Sequence, residues 1–252
     1  MDDTYLALLI DLHKHQHRQG PGGDAETGKA IALAGLQKSQ RLRIADIGCG
    51  TGASTLQLAR SLNAQITAVD FVPDFIEALK AHAAAEGLSG SIEPLVGAME
   101  QLPFADGAFD VIWSEGAIYN MGFEKGVKAW RRFLKPDGML VVSEITWITG
   151  SRPAEIQAYW EAEYPEIGPA SAKFKVLEES GYAPAGYFVL PESCWLDNYY
   201  RPLQARLAEF GKRHADSDMA ASIVEAEKNE IALYERFKSF YGYGFYLARK
   251  SG

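Results

Sequence analysis

Residues 43–54 read RIADIGCGTGAS, with Gly48, Gly50 and Gly52 at alternate positions behind a short apolar run and Asp46 two residues before the first of them. A glycine turn between a strand and a helix sets a ligand against backbone N–H groups and the positive end of the helix dipole. Two kinds of ligand fit such a turn. Gly48, Gly50 and Ala53 satisfy the dinucleotide fingerprint G-x-G-x-x-G/A, with Asp70 about the right distance downstream for a ribose. The third alternate glycine and the acid at Asp46 suit instead a ligand with an ammonium or other cationic end, because a carboxylate is badly placed beside a pyrophosphate.

The segments downstream favour the second ligand. ADIGCGTG resembles motif I of the class I S-adenosylmethionine-dependent methyltransferases. AVDF resembles their strand-end acid, EQLPFADGAFDVIWSE the stretch from adenine pocket into strand four, and FLKPDGMLVVSE the turn before strand five. The resemblance covers about residues 42–145 and is strongest to the small-molecule branch that includes ubiquinone/menaquinone-type C-methyltransferases. It implies S-adenosylmethionine as cofactor and S-adenosylhomocysteine as product. It also implies that Asp46, Gly48, Gly50 and Gly52 hold the methionine end, Asp70 the ribose, and Met99 and Glu100 the adenine region, with Phe71 a further cofactor contact. Ala98 stands where relatives commonly carry an acid, so Glu100 or backbone near Met99 must meet the adenine amino group. Two other readings stay open: a nicotinamide-dependent oxidoreductase, and a cofactor-binding protein without turnover.

Methyl transfer is an in-line displacement at a sulfonium, so alignment and water exclusion supply much of the catalysis. Glu115, just past the fourth strand, is a candidate cofactor contact or base, and Tyr119 a weaker catalytic candidate, with Asn120 beside it. His13 and His17 share a helix face at i, i+4, but no fixed acid or cysteine accompanies them as in a zinc site. The preferred reading makes residues 13–23 a lid, with Arg18 pairing with the cofactor's carboxylate and His17 near the substrate. Among the aromatics of CWLDNYY and FYGYGFY, Trp195 and Tyr200 are candidate pocket residues facing a sulfonium or cationic substrate. Cys49 lies inside the glycine turn, which uses its backbone, so its thiol is read as structural.

These residues need elements to position them. Short β-rich runs at 42–48, 65–71, 91–97, 109–115 and 138–145 alternate with helical segments at 54–62, 74–86 and 124–133. Such alternation predicts right-handed crossovers and a doubly wound α/β fold, Rossmann-like, with a mostly parallel sheet. The family resemblance adds seven strands, the last antiparallel beside strand five. Tyr5, Leu8, Leu9 and Leu12 predict an N-terminal helix, and Asp24 is placed to N-cap a second that stops near Gly35. Strand-like GYFVLPESCW and YGYGFYLAR enclose a long insert read as a helical cap at about 200–238. The whole chain is read as one domain: 1–40 as N-terminal helices and lid, 41–150 as cofactor core, and 151–252 as the C-terminal part carrying the cap.

Composition narrows the rest. The 252 residues are 47% hydrophobic, enough for one large core. A net charge of −8 with scattered lysines and arginines argues against an obligatory nucleic-acid partner. No apolar run approaches the roughly 20 residues that span a bilayer, the N-terminus is acidic where a secretory leader is basic, and two cysteines build no disulfide framework. The expectation is a cytoplasmic protein acting on a small molecule with no membrane partner. Oligomeric state is left open.

Overall fold

The glycine-bounded apolar runs form one twisted sheet, in a computed structural model that describes residues 3–252. Its strands are β1 (Leu42–Ile47), β2 (Ala64–Asp70), β3 (Ile92–Val96), β4 (Phe109–Ser114), β5 (Leu134–Trp147), β6 (Gly168–Pro169), β7 (Tyr182–Val189) and β8 (Tyr241–Lys250). They lie in the order β3-β2-β1-β4-β5-β8-β7, and the two-residue β6 pairs with the end of β5. Strands β1 to β5 run parallel, and β8 is antiparallel to both neighbours, with Leu140 opposite Ala248 and Phe188 opposite Phe245. The seven anticipated strands are therefore present, and β6 is an unanticipated eighth.

Helices cover both faces, which is why the central strands are apolar on both sides. Ile44, Val111, Val141 and Phe245 pack toward one face and Ala45, Ile112, Leu140 and Tyr246 toward the other, following the period-two alternation of a strand. Between the parallel strands run α3 (Ala53–Ser61), α4 (Pro73–Ala85) and α5 (Phe123–Trp130). Two helices, α1 (Asp3–His13) and α2 (Asp24–Leu33), precede the sheet, while α6 (Ala154–Glu163) and α7 (Ala170–Glu179) precede β7. The cap between β7 and β8 consists of α8 (Glu192–Trp195), a π-helical turn (Leu196–Tyr200), α9 (Arg201–Arg213) and α10 (Asp218–Phe237).

Three local expectations are corrected. Asp24 does not cap α2: the N-cap is the extended Gly23, and the Asp24 carboxylate accepts from Arg18 and Arg60 instead. An acid in the first turn still opposes the helix dipole favourably. The strand expected through GYFVLPESCW stops at Val189, because Pro191 precedes a helical turn that begins the cap at Glu192. The cap therefore starts earlier than about residue 200. Strand β5 is longer than the predicted run, continuing to Trp147 through its pairing with β8.

Candidate functional site

The order of the sheet reverses between β1 and β4, the switch point where open α/β sheets bind ligands at their C-terminal edge. There the chain turns sharply at Gly48, whose φ of 76° is left-handed and whose N–H donates to the Val69 carbonyl at 2.8 Å. A Cβ at Gly48 would strike that of Ala117, and one at Gly52, with φ 96°, would strike Leu79. Only glycine lets β4's exit loop and α4 approach this closely.

The N–H groups of this turn are largely committed. Gly50 donates to Asp70 Oδ2 at 2.9 Å, Val72 donates to Asp70 Oδ1 at 3.0 Å, and Thr51 donates to the side-chain oxygen of Gln19 at 2.9 Å. A pyrophosphate needs such groups free and is repelled by the Asp70 carboxylate that takes two of them. The turn is thus unsuited to a dinucleotide and suited to a cationic nucleoside.

Asp46 sits behind the turn, fully buried at the end of β1, and does not line the cavity in front of it. Its Oδ2 accepts from Ser54 Oγ at 2.9 Å and Thr55 Oγ1 at 2.6 Å, tying the start of α3 to the sheet, while Oδ1 has no partner. Burial pushes its carboxyl up to about 7, against the opposing pull of the two hydroxyls. An orphaned buried carboxylate oxygen beneath a ligand turn fits a cofactor bearing an ammonium and a sulfonium.

In front of the turn lies a cavity of about 570 Å³, inside the roughly 300–1,000 Å³ range of small-molecule sites. Gly48, Gly50, Asp70 and Phe71 form one wall, and Ala98, Met99 and Glu100 continue it. Phe71 is 56% exposed, an aromatic face held open toward the cavity. The Met99 carbonyl already accepts from Trp130 Nε1 at 3.1 Å and the Ala98 carbonyl from Gln101 N–H at 3.0 Å. At the place left by the missing acid, the Glu100 carboxylate therefore stands as the available side-chain acceptor. Cys49 is buried and its thiol is pushed far up by burial, so it is no nucleophile.

Residues 13–23 close over the opposite side. The Gln19 side chain accepts from Thr51 and donates to the His13 and Gln16 carbonyls, stapling the segment to the turn. Arg18 Nη1 donates to Glu115 Oε2 at 3.0 Å, and its Nη2 to Asp24 at 3.3 Å. Glu115 Oε1 accepts from Thr27 Oγ1 at 2.7 Å and Trp113 Nε1 at 3.0 Å. Arg18 and Glu115 both line the cavity with side chains only 7% and 6% exposed. Three hydrogen bonds from its neighbours make Glu115 an anchor for the lid, an arrangement that speaks against its reading as a base. Arg18 is neutralised within the protein and reaches a cofactor carboxylate only through its remaining N–H groups.

Three substrate candidates are also corrected. His17 is exposed and off the cavity, whereas His13, one helical turn earlier, lines it. Trp195 and Tyr200 lie in the core of the cap: Trp195 stacks on Tyr234 at 4.4 Å, and Tyr200 Oη donates to Glu230 at 2.9 Å. Their neighbours in the same motifs, Tyr199 and Tyr243, take the positions closer to the site. Tyr119 does line the cavity, 40% exposed on a short turn, with its ring edge-on to Tyr164. Burial raises its phenol, so it is a proton-bearing donor and no base. Among the described residues no three His, Cys, Asp or Glu gather as metal ligands. Thr27 and Trp113 are site residues that no local sequence pattern marks, and the stapling role of Gln19 is equally unmarked.

A mostly parallel sheet, a glycine turn without a phosphate cradle and an acidic strand end define an α/β fold suited to a cationic nucleoside. Residues 44–138 match the family model described as a methyltransferase domain. The chain is 30% identical over 166 residues to a ubiquinone/menaquinone biosynthesis C-methyltransferase of Citrifermentans bemidjiense, covering 64% of this chain and 68% of that one. It is 27% identical over 164 residues to a glycine/sarcosine/dimethylglycine N-methyltransferase of Actinopolyspora halophila, a match that spans 59% of this chain and 29% of that protein. Its fold superposes on a Geobacter sulfurreducens methyltransferase in complex with S-adenosylhomocysteine with a TM-score of 0.82, at 15% identity, over 98% of both chains. The chain belongs to the class I S-adenosylmethionine-dependent methyltransferases, and S-adenosylmethionine is its cofactor. The oxidoreductase reading has no support in these relatives.

Proposed function

We propose that the protein transfers the methyl group of S-adenosylmethionine to a small-molecule acceptor held in the cavity between the glycine turn and the N-terminal segment. The observation that carries this reading is the cavity itself. Its cofactor wall holds Asp70 and Phe71, while residues 13–21 and Tyr119 enclose the far side. An acceptor that enters such a space is small. Consistent with this, no helix among the described residues is long and apolar enough to cross a membrane. We place the enzyme in the cytoplasm as one domain.

The bound cofactor supplies a sulfonium methyl, which the acceptor's lone pair attacks as the C–S bond breaks and its electron pair stays on sulfur, leaving S-adenosylhomocysteine. Asp70 is assigned to the ribose hydroxyls, since each of its oxygens takes one backbone N–H and keeps lone-pair capacity. Phe71, Met99 and Glu100 are assigned to the adenine side, and Asp46 to the methionine end, where the cationic cofactor favours the ionised form of its carboxyl. Arg18, Glu115 and Gln19 hold the lid that excludes water. With Glu115 occupied and Tyr119 protonated, rate enhancement comes from alignment of acceptor and methyl, and a proton on the acceptor leaves to solvent. Incubating the protein with methyl-labelled S-adenosylmethionine and a metabolite extract tests the reading. Label in a low-molecular-mass product supports it, and label appearing only in macromolecules sinks it.

A further inference from the structure

Next to the cofactor cavity, the cap carries carboxylates without cations. Glu230, on α10, accepts one hydrogen bond, from Tyr200 Oη, and pairs with no lysine or arginine among the described residues. Glu227, one turn earlier, meets among the described residues only His13 Nε2, at 3.5 Å, and His13 lines the cavity. Both glutamates are half-buried, and carboxylates withdrawn from water are ordinarily paired or hydrogen-bonded.

Aromatic side chains link them to the site. His13 stacks on Tyr199 with ring centroids 6.5 Å apart, and Tyr199 abuts Tyr200 at 5.2 Å. Tyr199 and Tyr243 are each 9% exposed, yet their hydroxyls make no hydrogen bond among the described residues. The Tyr243 hydroxyl lies 3.8 Å from where a Cβ on Gly116 would stand, and Gly116 lines the cavity beside Tyr119. After burial, the charge of Glu230 is among the influences that raise the phenols of Tyr199, Tyr243 and Tyr119, and burial together with Glu227 raises the carboxyl of Glu230 itself. Leu6, Leu9 and Ile10 make the adjoining wall apolar.

A carboxylate lacking a cation, tyrosine rings within its field and an apolar wall are what a desolvated ammonium needs: charge compensation, π faces and room for alkyl substituents. We infer that the acceptor carries an ammonium group, held by Glu230 and the rings of Tyr119, Tyr199 and Tyr243. Glu227 and Glu230 together give the side of the site behind His13 a negative potential that favours such a molecule. The inference names the acceptor class of the site proposed above and rests on that reading.

The test uses the full-length protein saturated with S-adenosylhomocysteine, titrated by calorimetry with choline and with 3,3-dimethylbutan-1-ol, which has the same shape with carbon in place of the charged nitrogen. Choline is expected to bind at least tenfold more tightly, and Glu230→Gln to reduce that preference at least tenfold while leaving the affinity for S-adenosylhomocysteine unchanged. The wild-type comparison stands even if the variant misfolds. Equal or tighter binding of the alcohol, no binding of either probe, or an undiminished preference in a folded Glu230→Gln protein overturns the inference. Failure of S-adenosylhomocysteine itself to bind would instead overturn the reading beneath it.

Discussion

Arg18 and Glu115, 97 residues apart in the chain, meet through a 3.0 Å hydrogen bond that closes the N-terminal segment onto the exit of β4. Both groups are nearly buried, so breaking the pair strands a charge. Removal of one partner of such a pair costs about 3–5 kcal/mol. Glu115→Ala is expected to lose stability of that order in urea unfolding and to weaken S-adenosylhomocysteine binding. Glu115→Gln keeps the acceptor for Thr27 and Trp113, and the pH profile of its kcat is expected to match wild type. Loss of an acidic limb in that profile would restore Glu115 as a base.

Gly48→Ala forces a side chain into left-handed backbone and against Ala117. The backbone alone costs roughly 1–2 kcal/mol, and the displaced loop carries Gly116 and Tyr119. The expected result is a melting temperature several degrees lower and at least a tenfold loss of cofactor affinity. An unchanged affinity would show that the turn is not the cofactor's seat.

Asp46 links stability to pH. Its unfolded carboxyl ionises near 3.8, whereas the folded one keeps its proton until about 7. Between those values the native state binds more protons than the unfolded state, so this group's contribution to stability falls as pH rises through the window and levels off above it. Asp70 shifts in the same direction through burial, so the whole-protein profile is a sum. The stability of Asp46→Asn relative to wild type, measured without cofactor, is therefore expected to increase from pH 5 to pH 8. A pH-independent difference would contradict the burial of an unpaired Oδ1.

Lys173 Nζ donates to Glu144 at 2.8 Å and to the Glu166 carbonyl at 2.9 Å, while Tyr164 Oη donates to the same Glu144 oxygen at 2.5 Å. Lys173 and Glu144 are both buried, and Glu144 Oε2 is unpartnered. Lys173→Met is expected to cost about 3–5 kcal/mol, with part of that loss recovered in the double variant with Glu144→Gln. Urea denaturation of the four proteins measures the coupling, and strictly additive effects would show that the pair does not interact.

The cofactor half of the site was legible in the sequence because each of its parts follows a strand. The glycine turn follows β1, Asp70 ends β2 and Met99 lies just beyond β3, so local pattern and position coincide. The acceptor half was not. His13, Tyr119, Tyr199, Glu230 and Tyr243 come from five distant parts of the chain, and which aromatic of an adjacent pair faces the site depends on phase. Successive helical residues point about 100° apart, and the π-helical turn at Leu196–Tyr200 shifts that phase further. Trp195 and Tyr200 thus turn into the cap core where Tyr199 turns toward His13. His17 lies off the cavity because α1 ends at His13, breaking the i, i+4 relation on which their shared face depends. Nor does any local signal reveal that Glu115 is held by Arg18, Thr27 and Trp113.

The most direct test of the account is calorimetric titration of S-adenosylhomocysteine into the wild-type protein and into Asp70→Asn, with NADH as control. The account predicts saturable one-to-one binding to wild type, at least tenfold weaker binding to the variant, and no heat from NADH. Equal affinity in the two proteins, or binding of NADH in place of S-adenosylhomocysteine, would contradict it.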